Sequence, residues 1–136
     1  MILDEIRRQI VSGESEVLEL KKSTGQLTRA GETLCAFLNA AGGRVMIGIT
    51  PEGRIAGQQV TDKTQQDIAN VLRGFEPATQ VLVSQAALPE SDRVVLILEA
   101  CPVPEARPYC FEGRPYYRSG TTTAAMPQAR CISRCC

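Results

Sequence analysis

Residues 32–57 read ETLCAFLNAAGGRVMIGITPEGRIAG, and the order of apolar and small residues in this stretch decides the fold. Leu34, Phe37, Leu38 and Ala41, with Leu27 and Ala30 just upstream, recur at helical spacing, so residues 26–41 are expected to form a helix. Gly31 weakens that helix locally, by up to about 1 kcal/mol relative to Ala. Gly42 and Gly43 then supply a left-handed stop. Residues 44–50, RVMIGIT, are almost continuously apolar, as in a central strand buried on both faces. Pro51, Glu52 and Gly53 turn the chain into a short return strand at 54–56, closed by Gly57.

The flanking sequence extends this core in both directions. Upstream, Leu3, Ile6, Ile10 and Val11 mark a short helix that Ser12-Gly13 ends. Residues 14–22, ESEVLELKK, alternate apolar and acidic residues like a half-buried strand with a wet acidic face. Downstream, Thr61 or Asp62 caps a helix, with Gln65 three places beyond Asp62, and Ile68, Val71, Leu72 and Phe75 are its expected buried residues. Glu76-Pro77 stops it. The β-branched runs within 80–86 and 93–100 are the clearest strand signals in the chain. Beyond Cys101, prolines punctuate a loop that ends in a strand-like Tyr116-Tyr117-Arg118. The expected organisation is one α/β domain over 1–123, a mixed β-sheet flanked by helices. Residues 124–136 are expected to form a weakly ordered, Cys-rich tail.

Bulk properties narrow the function. A chain of 136 residues buries roughly 70% of its unfolded surface, enough for one core. Fifteen Lys and Arg balance fifteen Asp and Glu, which argues against coating nucleic acid by overall charge while leaving room for a basic face. The first ten residues lack the pattern of a signal peptide, and no apolar run approaches the roughly 18 residues of a membrane span. The six Cys are scattered or crowded at the end, unlike a secreted disulfide framework, so free thiols and a cytoplasmic location are expected. Cys131, Cys135 and Cys136 are too few for a structural zinc site, and SRCC is not a prenylation box. The absence of His excludes Ser-His-Asp, Cys-His and His-ligated metal sites. Neither a GxxxxGK[ST] loop nor a GxGxxG turn is present, and no cofactor or metal site is expected.

Three separated pieces form a recognisable set: E-x-x-x-x-E-L-K at 14–21, the segment at 32–57 with its A-F-x-N-x-x-G-G-x-x-x-I-G core, and RPYCFEGRPYYRSGTTT at 107–123. Together they resemble the AlbA-like domain of the Schlafen type, which also opens many bacterial proteins labelled as transcriptional regulators or divergent AAA proteins. The resemblance implies a nucleic-acid-binding role, with DNA favoured over RNA, in a bacterial regulator or a truncated form of one. Lys21, Lys22, Arg107, Arg114, Tyr117 and Arg118 are the candidate nucleic-acid contacts; an Arg beside Tyr rings suits phosphate binding or base stacking.

Two other functions stay open. Some animal Schlafen domains cut RNA with three carboxylates, two of which correspond to Glu14 and Glu19. The third falls at Pro51, which cannot ligate a metal, and Glu52 lies one place away. Alternatively, the runs VLV and VVLIL pair across a two-fold axis and the chain is an oligomerisation domain, a homodimer, without nucleic acid. Each feature also has a plainer reading. Glu14, Glu16 and Glu19 would be the solvated face of an edge strand, Lys21 and Lys22 solvated charges, and Arg118 a structural partner of a nearby carboxylate. Asn39 would hydrogen-bond backbone around the Gly-Gly turn.

Overall fold

The computed structural model describes residues 2–126. In chain order the elements are α1 (Leu3–Ile10), β1 (Leu18–Lys21), α2 (Leu27–Leu38), β2 (Gly43–Ile47), α3 (Asp62–Leu72), β3 (Phe75–Glu76), β4 (Val81–Ala87), β5 (Val94–Ala100), β6 (Cys110–Phe111), β7 (Arg114–Ser119) and β8 (Thr122–Ala125). A 3-10 turn, Thr24–Gln26, leads into α2 and another, Pro104–Ala106, precedes β6. The main sheet has the order β1-β2-β5-β4: β1 runs parallel to β2, and the other pairings are antiparallel. The α/β class with a mixed, helix-flanked sheet is as the sequence indicates. A second, antiparallel sheet of order β3-β6-β7-β8 was not foreseen.

The alternation of β2 and β5 builds two cores. Val45, Ile47, Leu96 and Leu98 face α2, α3 and the second sheet, while Met46, Val95 and Ile97 face Ile6 and Ile10 of α1. Helix α2 lies between the two sheets, which explains why nine of its twelve residues are buried. Gly31 is one of them. A Cβ there would stand 2.4 Å from the Phe111 ring, so the glycine that weakens the helix on propensity grounds admits the second sheet at close range. Gly42 adopts φ +91°, and its N–H donates to the Phe37 carbonyl at 2.9 Å, ending α2 as its position in the sequence demands.

Other local expectations need adjustment. The strand expected at 14–22 begins only at Leu18, and its residues 18–20 are all buried, so Glu19 does not lie on a wet face. The return strand at 54–56 reduces to the single bridge of Ile49 with Ile55, because Gly48 at φ +106° ends β2 early. Thr61 caps α3 through a reciprocal pair with Thr64, each side chain accepting the other's backbone N–H at 3.2 Å, in place of the expected box with Gln65. Phe75 leaves α3 for β3 and is buried against Phe111. Ala124 and Ala125, read as the start of a tail, pair in β8, and Met126 behind them is buried. Cys131, Cys135 and Cys136 lie outside the described residues.

Candidate functional site

Pieces one and three of the sequence meet on a single carboxylate. Glu19 projects from β1 into the space under β7 and β8. Its Oε1 lies 3.3 Å from Lys21 Nζ and its Oε2 3.1 Å from an Arg118 guanidinium nitrogen. The Arg118 side chain is 1% exposed and that of Glu19 11%. The same Arg118 nitrogen donates to the Ser15 carbonyl at 2.8 Å and the Leu18 carbonyl at 3.3 Å, and the other terminal nitrogen donates to Thr123 Oγ1 at 3.0 Å. The guanidinium also sits 5.1 Å from the Phe37 ring centre. Thr123 Oγ1 meets Thr33 Oγ1 at 3.1 Å, tying α2 into the cluster. Among the described residues, Arg118 Nε is the one buried side-chain nitrogen or oxygen without a hydrogen-bond partner.

Glu14 approaches from the turn before β1. Its Oε2 accepts the Leu20 N–H at 3.1 Å, and its carboxyl shares a hydrogen bond with Glu19. Burial holds the Glu14 carboxyl above its ordinary value of 4.5, the bond to Glu19 adds to the shift, and the Leu20 N–H works against it. Folding therefore favours the protonated form. Such a group contributes stability that is present below pH 4.5 and is lost as pH rises through the higher folded value. Glu14→Gln keeps an acceptor for Leu20 and a donor for Glu19 without titrating. Its urea midpoint is expected to exceed that of the native chain at about pH 7, and the gap should close towards about pH 4. A gap independent of pH would contradict the shared proton.

A divalent metal does not fit this set. Both Glu19 oxygens face cations, burial holds the Glu14 carboxyl above its ordinary value, and the third acidic position is Pro51. Glu52 lies with Arg7 and Ile10 along a different surface cavity. Among the described residues no group of three acids or thiols comes together to hold an ion. Cys35 is no better as a nucleophile: burial pushes its thiol up to about 12.

The cations named from sequence divide into two kinds. Arg107, like Arg118, is engaged with the frame of the fold. Its Nε donates to the Leu38 carbonyl at 3.1 Å and a terminal nitrogen donates to the Ala40 carbonyl, so its charge closes the C-terminal end of α2. Asn39 stands beside it. It accepts the Tyr109 N–H at 2.7 Å and donates to the Tyr109 and Tyr116 carbonyls, each at 2.9 Å, joining α2 to the second sheet instead of to the Gly-Gly turn. Lys22 and Arg114 are exposed and Tyr117 is half-buried, whereas the Lys21 side chain is only 13% exposed and its ammonium is engaged with Glu19. Ser15, Thr33 and Thr123 were not singled out from sequence; the only local signal was the run of three Thr at 121–123.

The family described as Schlafen, AlbA_2 matches residues 14–127. No curated protein matches the chain. Several solved structures resemble it, two of them as follows. The N-terminal domain of a Nitrosomonas europaea protein, named for relatedness to the ATP-dependent DNA helicase RecG, aligns at 20% identity and TM-score 0.64, over 91% of this chain and 90% of that one. The DIP2311 protein of Corynebacterium diphtheriae aligns at 17% identity and TM-score 0.58, over 96% of this chain. This chain spans 30% of the length of the Corynebacterium protein. At these identities the likeness establishes the fold.

Proposed function

The chain belongs to the Schlafen AlbA_2 family over residues 14–127, and from that premise we propose that it is a non-catalytic nucleic-acid-binding module that prefers DNA to RNA and serves a bacterial transcriptional regulator. The observation that carries this reading is the state of Glu19. Its charge is matched by Lys21 and Arg118, so this carboxylate acts as an internal lock and does not present its charge to a ligand. Lys22, just past the first piece, and Arg114 of the third are then the exposed cations, with the half-buried Tyr117 three places beyond Arg114. They are the groups proposed to meet phosphate and base, while Arg107 and Arg118 hold the elements that carry them. The RecG-related name of one structural relative supports DNA as the ligand.

Anisotropy titrations with labelled duplex DNA and RNA of one sequence test this. Binding should weaken with salt at a slope of about −0.9 per phosphate neutralised. The double variant Lys22→Glu, Arg114→Glu should weaken binding at least about tenfold near 50 mM salt and flatten the slope by about two. Its thermal melt should be unchanged, since both side chains are exposed. Absence of binding to either nucleic acid at low salt, or binding indifferent to salt, would remove the proposal.

A further inference from the structure

The two edges of the main sheet are finished differently. At the β1 edge, Arg118 donates to the Leu18 carbonyl, and the strand carries Glu19 and Lys21 with Lys22 following. That edge is capped and charged, the usual protection against a further strand. The β4 edge has neither device. Among the described residues β4 pairs with β5 alone, in an unbroken register from Val81 opposite Ala100 to Ala87 opposite Val94, so no bulge twists it away. From Pro77 to Pro89 the chain carries no charged residue, and no proline lies within the strand itself.

Each face of this edge carries an exposed large apolar side chain. Leu82 and Val83 point to opposite sides of the sheet and remain 48% and 45% exposed. Val83 borders an open groove of about 310 Å³ with Ile68, Leu72 and Leu96 on the α3 side. We propose that a second copy of this chain adds its own β4 here, antiparallel and centred on Ser84, so that four strands from each copy form one continuous sheet. About that axis Leu82 lies opposite Ala86 of the second copy and Val83 opposite its Gln85, a large residue against a smaller or longer polar one, with no like charges facing. The row of unpaired main-chain groups is complementary to itself under a two-fold rotation, which is the commonest symmetry of soluble oligomers. An uncharged edge offers no electrostatic selection for a foreign strand, and two copies of zero formal charge do not repel each other. This pairing is independent of any nucleic acid.

Sedimentation and light scattering of the full chain decide the matter, without nucleic acid and with reductant present because Cys101 is exposed. Over concentrations on the order of 1 to 500 µM the mass should rise from 14.8 kDa to twice that value. Ser84→Lys sets two cations directly opposite each other at the axis and should weaken association at least about tenfold, with an unchanged thermal melt because Ser84 is exposed. Backbone hydrogen exchange at 81–87 should slow with concentration in the native chain and not in the variant. A monomer at every concentration overturns the proposal, as does a dimer untouched by Ser84→Lys. Protection of 81–87 that does not change with dilution would mean that a segment of the same chain covers the edge, and would overturn it equally. None of these outcomes bears on the DNA titrations.

Discussion

Arg118→Met is expected to destabilise the fold by about 3–5 kcal/mol, read as a lowered urea midpoint at unchanged slope. The substitution replaces the guanidinium over Phe37 with an apolar group, strips Glu19 of its more deeply buried counter-ion and leaves the Ser15 carbonyl with only the long 3.5 Å contact from the Leu18 N–H. A carboxylate that is 11% exposed cannot recover that interaction from water. The pair is costly to break because it is buried, which is different from being a large net source of stability. Replacing both ends, Glu19→Leu with Arg118→Met, should therefore recover much of the loss and leave the double variant within about 2 kcal/mol of the native chain. A cost below about 1 kcal/mol for Arg118→Met alone would place the pair among solvent-screened surface bridges. If Glu19 instead served as a metal-dependent nuclease residue, Glu19→Ala would abolish RNA cleavage. The present reading expects it to change stability, with no Mg²⁺- or Mn²⁺-dependent cleavage in either protein.

Asn39→Ala should cost roughly 2–4 kcal/mol, since it orphans the Tyr109 N–H, leaves the Tyr109 C=O with the weak Cys35 thiol donor at 3.2 Å, and removes a donor from the Tyr116 C=O. Asn39→Asp separates the amide's two functions. The carboxylate still accepts from Tyr109 N–H, but its second oxygen confronts two carbonyl oxygens that the amide nitrogen had served. That variant should be strongly destabilised at neutral pH and recover part of its stability on acidification, when a protonated oxygen can donate again. Unfolding curves across pH measure both effects, and hydrogen exchange at 109–116 should report loosening of the second sheet first. An Asp variant as stable as the native chain at neutral pH would show that water already serves those carbonyls.

These two residues also mark where sequence reading reaches its limit. Helix α2, Gly42 and strand β2 were legible because each rests on neighbours within a few positions: apolar spacing, a left-handed stop, a run of β-branched residues. Strands β4 and β5 were legible for the same reason. The second sheet was not, since β3 and β6 contribute two residues each and β8 is TTAA, too short and too polar to show a period. Glu19 reads as solvated because strand alternation describes one strand and not what lies above it. Its more deeply buried counter-ion is 99 positions away and only the completed fold brings it near. For Arg118 the plainer of its two readings, a structural Arg held by a carboxylate, describes the observed contacts. For Asn39 the backbone role was legible, but its partners seventy positions on were not.

The separation between Glu19 and Arg118 has a consequence for how the protein is made. At translation speeds of about 5–20 residues per second, the ribosome needs on the order of 5–20 s to add the 99 positions between them. During that interval β1 can find β2 and Glu19 has Lys21 at hand, but its more deeply buried counter-ion, Arg118, has not been synthesised. A ribosome stalled between residues 100 and 118 would therefore present to the cell's chaperones and proteases a main sheet whose four strands are all made but whose first edge lacks the arginine that caps it.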